Sequence, residues 1–262
     1  MVGPWRATLL QLGVLELDAE QLLGEFARES TVAIPTNVLL FEGPGGTILV
    51  DTGCGVLSGW LPGRSVELEE ALAAVGSSLG AVDLVVLTHL DFDHVGGIVA
   101  GTWPEPLRAV VGVPVLVGQR ALASARRRPV DTPWNSATAV ARTLEAEGVL
   151  REVAGDEEIA PGLLVRDAPG HRSGHVCLEL DAGVGEVLLY LSDVVHHSLH
   201  VENPELDGVH DSDREVGLET RRGFLAEAVR RDAVVGASHL AGFGRVTKDA
   251  RGARWRPIGC AV

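Results

Sequence analysis

With 262 residues, 46% of them hydrophobic and 22% charged, the chain can bury a full core and has the balance of a folded protein, which excludes a disordered or bilayer-spanning one. A formal net charge of −14 opposes non-specific binding to nucleic acid or anionic lipid and leaves room for bound cations. The expected partner is a small-molecule substrate, with no nucleic acid and no membrane, on a monomer or homodimer.

The opening segment, MVGPWRATLLQLGVLELDAEQ, has no basic region followed by a long apolar run and a small-residue cleavage site, so a cytoplasmic location is expected. Short apolar runs punctuated by glycine then alternate with stretches of helical period, the pattern of sheets covered by helices, a mixed α/β class. The runs predict strands over Val32–Phe41, Thr47–Val50, Leu84–Leu87, Val115–Val117, Leu163–Asp167, Val176–Leu180, Val187–Leu191 and Val234–Gly236. Helices are predicted over Val66–Val75, Gln119–Ala125, Ser136–Ala146 and Asp213–Arg231. Between the middle two, Arg126–Pro129 and Asp131–Asn135 form a loop in which Pro129 and Pro133 discourage helix. The last helix aligns Leu218, Leu225 and Val229 on one face, so it should cover the sheet as scaffold. Cys54, Cys177 and Cys260 lack CxxC spacing and are expected as reduced thiols, with Cys177 in the core. No linker interrupts the chain, and residues 1–262 are expected as a single domain.

A faint internal echo pairs GGTILVDTG at 45–53 with GEVLLYLSD at 185–193, each a glycine, an apolar strand and an aspartate. It also pairs LVVLTHL at 84–90 with VVGASHL at 234–240, strands leading to His89 and His239. Read as two related halves, the chain collects Asp and His residues along one edge between two sheets; chance likeness between buried strands is the alternative.

The densest chemistry is THLDFDHVGG. His89 and Asp91 are two apart at a strand end, so an extended backbone points both the same way. Asp93 and His94 follow in a turn before Gly96 and Gly97, where small residues let the backbone fold tightly. Imidazoles and carboxylates at this density suit zinc, manganese or iron; a polar turn with a helix-capping aspartate is the bland alternative. Pro169-Gly-His171-Arg-Ser-Gly-His175 again sets histidines after a strand, Leu191-Ser-Asp193 ends another strand on a carboxylate, and His239 follows a fourth. Site residues arriving together at strand ends are how α/β proteins assemble a site.

The order DTG, HxxxDH, PGHxxGH, a lone Asp and a late His resembles the metallo-β-lactamase superfamily over about Thr47 to Arg245. Within it, Asp193-Val-Val-His-His197 and His239-Leu-Ala-Gly-Phe-Gly-Arg245 look most like the branch of acyl-homoserine lactonases and methyl parathion hydrolase. The resemblance implies an αβ/βα four-layer sandwich with two divalent metal ions between the sheets. It implies one ion held by His89, Asp91 and His171, a second by Asp93, His94 and His239, and Asp193 bridging them. His175 would be a structural neighbour and Asp51 a carboxylate orienting a ligand. Zinc is the ion that the resemblance favours. Most members carry HxHxDH, and Asp91 in place of the second histidine is a harder, anionic ligand that points towards iron or manganese.

The implied activity is hydrolysis of an ester, lactone, thioester or phosphotriester by a hydroxide shared between the ions, with Asp93 among the catalytic groups. His196 stands where the lactonase branch has a substrate-holding tyrosine, so it is read as a substrate or oxyanion contact, or else as an exposed loop histidine. His197, His200 and His210 are read as loop or surface residues, Arg126–Arg128 as a solvated basic turn or else a run that steers an anionic substrate, and Phe92 and Trp134 as packing residues or else pocket lining. Two other classes stay open. One is a diiron redox enzyme, favoured by Asp91 alone, and the other a non-catalytic binding module. Substrate choice is expected to lie in Leu57–Ser65, Arg126–Asn135 and His196–Asp213.

Overall fold

Short apolar runs such as Ile48–Val50 have no polar alternation because they are covered on both faces, and they take the centres of two sheets. The computed structural model describes residues 1–60, 63–101, 107–128, 136–183, 185–206, 209–250 and 252–262. Its strands are β1 (Arg6–Asp18), β2 (Thr31–Gly43), β3 (Gly46–Val50), β4 (Gly63–Ser65), β5 (Leu84–Leu87), β6 (Val99–Ala100), β7 (Arg108–Ala109), β8 (Val115–Gly118), β9 (Leu150–Val153), β10 (Glu157–Ala160), β11 (Leu163–Asp167), β12 (Val176–Asp181), β13 (Val187–Tyr190), β14 (Val234–Gly236), β15 (Phe243–Asp249) and β16 (Gly252–Gly259). The α-helices are α1 (Ala19–Leu23), α2 (Leu68–Ala74), α3 (Phe92–Val95), α4 (Gln119–Arg127), α5 (Ser136–Ala146), α6 (Ser198–Glu202) and α7 (Arg214–Arg231).

The first sheet runs β4-β1-β2-β3-β5-β8-β9 and the second β10-β11-β12-β13-β14-β15-β16, with β6 and β7 forming a separate small pair. Strands β3, β5, β8 and β9 are mutually parallel, and β13 pairs in parallel with β14; the other pairings within the two sheets are antiparallel. Trp5, Phe41, Ile48 and Val50 of the first sheet's side meet Leu178, Tyr190 and Phe243 of the second, all buried in one cluster between the sheets. On the outer face of the first sheet, Leu72 of α2 and Val140 and Leu144 of α5 join Leu40, Leu49 and Val85. Phe224, Leu225 and Ala228 of α7 cluster with Cys177, Leu189 and Val235 of the second sheet. Helix, sheet, sheet, helix gives the four-layer αβ/βα sandwich. Each fully buried large apolar side chain contributes roughly 1.5–3 kcal/mol.

The eight predicted strands and four predicted helices are all present, with ends displaced by at most two residues. β1 escaped prediction because Ala7–Leu10 is buried on both faces, so it carries no period-2 signal, and its register slips between Gln11 and Gly13. β16 contains Pro257, which a strand tolerates here because β16 lies at the sheet edge. α7 covers the sheet as expected, with Leu225 buried and Val229 packed against the same cluster, but its buried face extends to Gly217, Arg221, Phe224 and Ala228 and leaves Leu218 half-buried. Cys54 and Cys177 are buried, Cys260 is exposed, and all three are free. Arg126 and Arg127 end α4, whereas Pro129 and the expected loop 131–135, including Trp134, lie outside the described residues. Among the described residues no helix is long and apolar enough to cross a membrane.

Candidate metal centre

The internal echo has a structural counterpart. β3 and β5 form one parallel pair, β13 and β14 another, and each pair delivers an acidic residue and a histidine just beyond its strand ends. Asp51 (φ 61°), one residue past β3, and Ser192 (φ 46°), two past β13, hold left-handed backbone, a conformation costly for non-glycine residues. The turn at Ser192 presents Asp193.

Asp51 organises the loops around it. It accepts from the Thr88 amide at 2.8 Å and the Thr88 hydroxyl at 2.8 Å, and from His94 Nδ1–H at 2.8 Å. The DTG segment also cradles α3, with the Thr52 amide on His94 O at 2.7 Å and the Gly96 amide on Gly53 O at 2.8 Å. A Cβ at Gly96 would sit 1.7 Å from Cys54 O, and one at Gly97 2.1 Å from Thr52 O, so both glycines are required by backbone proximity.

Asp193 is the hub. Its Oδ2 lies 3.2 Å from His239 Nε2, 3.4 Å from His196, 3.6 Å from His171 and 3.9 Å from His89, while Oδ1 is 3.4 Å from His94 Nε2. Three donor sets have mutual separations within 4.8 Å: His89, His171 and Asp193; Asp93, His94 and His239; and Asp193, His196 and His239. The structure therefore brings together His89, Asp93, His94, His171, Asp193, His196 and His239, all of them buried.

The protonation pattern suits cations. His94 Nδ1–H donates to Asp51, His171 Nδ1–H to Asp211 at 3.1 Å, His89 Nδ1–H to the Thr88 hydroxyl at 3.1 Å and His239 Nδ1–H to Pro35 O at 2.8 Å. With Nδ1 protonated, each ring turns an Nε2 lone pair towards the centre. Nε2 of His89, His94 and His171 is buried with no hydrogen-bond partner among the described residues. Leaving such a group unsatisfied costs about 1–3 kcal/mol, so three converging ones beside two carboxylates fit a pair of divalent ions. Burial opposes protonation of His94, but Asp193, Asp93 and Asp51 overcome it and raise its pKa well above the usual imidazole range. The same field that attracts a proton to this ring attracts a metal ion.

His175 does not compete as a ligand. Nδ1–H donates to Ala168 O at 2.9 Å, Nε2 accepts from the Asp193 amide at 3.4 Å, and burial pushes its pKa down to about 3. It props up Asp193, in keeping with a structural neighbour. Asp91 has an unforeseen partner. Arg172 grips it with Nε on Oδ1 at 3.0 Å and Nη2 on Oδ2 at 2.7 Å, while Oδ2 stays 3.7 Å from Nε2 of both His89 and His171.

Sequence reading also missed Asp211 and Arg221. Asp211, which holds His171, is bonded in turn by Arg221 Nη2 at 3.0 Å, and Arg221 Nε donates to Val194 O at 2.8 Å beside Asp193. Thus α7 is more than scaffold, and no local pattern marked its arginine for this position. His200 is corrected too, whereas His210 does lie in a loop, half-buried. His200 is buried, and His210 lines the central cavity with a buried, unpartnered Nε2. His197 caps α6 by accepting from the Leu199 amide at 3.1 Å.

The cavity above the centre measures about 520 Å³. Asp93, Asp193, His196 and His239 lie at its polar end, and Leu15, Leu17, Ile34 and Phe92 supply apolar lining. His196 is therefore buried at the site, not exposed in a loop.

Comparison with known proteins agrees with this geometry. Over 197 residues the chain is 29% identical to the probable metallo-hydrolase Mb2322c of Mycobacterium bovis, an alignment covering 63% of this chain and 58% of the length of that relative. The fold is similar to that of AidC, a dizinc quorum-quenching lactonase, with TM-score 0.83 and 20% identity over 99% of this chain and 96% of that one. It is also similar to the hydrolase AbOPH, with TM-score 0.80 and 22% identity over 98% and 96%. The profile of the metallo-beta-lactamase superfamily matches residues 32–222, which take in Asp51, the His89–His94 cluster, His171 and Asp193, and to that superfamily this chain belongs.

Proposed function

We propose that the chain is a dinuclear metal-dependent hydrolase, a single domain that opens an ester, lactone or related thioester or phosphotriester bond. The observation that carries this reading is the pair of buried His/Asp donor sets, one containing Asp193 and the other touching it, at the base of a cavity with apolar lining. His89, His171 and Asp193, with Asp91 alongside, would hold one ion; Asp93, His94 and His239, with Asp193 between, the other. Two divalent ions at such a site lower the pKa of water and stabilise negative charge developing on a carbonyl or phosphoryl oxygen.

The chain's own groups do the rest. Asp93 lines the cavity and belongs to the second donor set, so its carboxylate would both hold the ion and exchange a proton with the attacking water. His196 presents its imidazole beside Asp193 to orient the substrate's polar group. Leu15, Leu17 and Ile34 would hold an apolar acyl portion and exclude water. Zinc fits this imidazole-rich set, and likeness to a dizinc lactonase supports it. The redox reading rested on Asp91 alone, and Arg172 offsets that charge. Three free cysteines and the net negative charge support a cytoplasmic enzyme without nucleic-acid partners.

The test is turnover of aryl esters, lactones and phosphotriesters by protein carrying about two metal ions per chain, abolished by chelator and restored by zinc or manganese. Metal uptake with no hydrolysis of any of these, or oxygen consumption in its place, would overturn the reading.

A further inference from the structure

The Asp91–Arg172 pair sits where most of the superfamily has a neutral imidazole, and its geometry gives it a defined job. Oδ2 of Asp91 is 3.7 Å from Nε2 of His89 and 3.7 Å from Nε2 of His171, a triangle close to the roughly 3.4 Å edge expected for ligands about 2.1 Å from one tetrahedral ion. Arg172 engages both carboxylate oxygens, leaving Oδ2 shared between the guanidinium and the centre. The arginine is itself fixed, since Nη1 donates to His171 O at 2.9 Å and to His210 O. It is the residue immediately after His171, so one short segment places a ligand and the counter-charge of a second ligand together.

We propose that Asp91 and Arg172 act as one unit, a carboxylate ligand whose charge is cancelled by its guanidinium, so that the pair electrically replaces the missing histidine. This rests on the dinuclear reading above. Arg172 is then a positioning residue that keeps the first site selective for zinc, where a bare aspartate would draw it towards harder ions. An anion alone adds a full negative charge to the set; with Arg172 in bidentate contact the sum at this position returns to zero, the charge of an imidazole.

The experiment is a metal-competition titration of the full chain against a chromophoric chelator, with zinc and with manganese, on the wild type, R172Q, D91H and D91H/R172Q. Cobalt(II) absorption spectra and circular dichroism accompany each titration. R172Q keeps a hydrogen-bond donor but removes the charge, and its zinc-to-manganese affinity ratio at the weaker site should fall by about tenfold. D91H alone places an unneutralised arginine beside a dication and should lose zinc affinity at that site. D91H/R172Q should regain it, together with a wild-type-like cobalt spectrum. Independent effects of the two changes, or a metal ratio in R172Q within about twofold of wild type, would overturn the unit and leave the hydrolase reading standing. A wild type that binds no metal at the His89 set overturns both. Because the cycle reads a ratio of affinities, a variant that merely loosens the loop shifts both metals alike and counts against the proposal.

Discussion

At the scale of single residues, the site depends on groups that never face the cavity. Asp211 fixes the tautomer and tilt of His171, and Arg221 fixes Asp211, so the ligand is held through two buried hydrogen bonds. Replacing Asp211 by Asn keeps the shape but withdraws the anionic acceptor. Zinc affinity at the His171 side is expected to fall about 10–100-fold in the same competition titration, with affinity at the His94 side unchanged. Arg221→Met is expected to cost about 3–5 kcal/mol in urea unfolding, because it strands a buried carboxylate. A loss under about 1 kcal/mol would mean that Asp211 is already satisfied without the arginine. The candidate donors themselves were legible in sequence because imidazoles and carboxylates cluster at strand ends. Their supports were not. Asp211 lies in a loop and Arg221 within an ordinary charged helix, and it is tertiary packing that brings them 10 residues apart in sequence to within 3.0 Å.

At the scale of elements, α6 carries a buried titrating imidazole, His200, whose Nδ1 accepts from the His196 amide at 3.4 Å. His200 is buried, donates from Nε2 to Leu22 O at 3.0 Å, and burial pushes its pKa down to about 4. The unfolded chain therefore binds a proton at this residue between about pH 6.5 and 4 that the folded chain refuses, and stability falls as pH drops through that window. Urea unfolding in chelator should show this residue alone costing about 2 kcal/mol between pH 7 and 5, a loss that His200→Gln removes. An unchanged pH slope in that variant would place the titration elsewhere. The strands that sequence captured were the central ones, whose apolar runs are bounded by glycine. It missed β1, buried on two faces, and β16, whose Pro257 argues against a strand anywhere but an edge. On α7 the periodic leucines gave the right helix and one edge of its buried face, but missed Arg221, which is buried through hydrogen bonds that hydrophobic periodicity does not register.

For the whole molecule, the donors come from both sheets. His89 and His94 follow β5 of the first, while His171, Asp193 and His239 follow β11, β13 and β14 of the second. An ion ligated from both sides binds the folded state alone and adds about 4 kcal/mol per site when free metal exceeds Kd a thousandfold. Removing both ions, about 8 kcal/mol together, should therefore lower the thermal midpoint by roughly 15–30 °C, since each kcal/mol is worth about 2–4 °C in a chain of this size. Differential scanning calorimetry with and without chelator measures it, and an unmoved midpoint would mean that the sheets hold together without help from the centre. The internal echo made this two-sided arrangement visible in sequence, although the loops expected to choose the substrate are only partly described.

His239 has one more consequence, for the order in which the molecule comes into being. Its ring is bonded to Pro35 O on β2, and the adjoining backbone is tied to Asn37, whose amide donates to Ser238 O at 2.8 Å and whose side chain donates to Leu240 O at 2.7 Å. These bonds join positions about 200 residues apart, so a nascent chain emerging from the ribosome can assemble its first sheet long before this closure is possible. Until the last parallel pair has docked, the Asp93 and His94 side has no third ligand. A complete donor set is thus a property of a chain that has folded through β14, and forms truncated before it would lack the His239 donor.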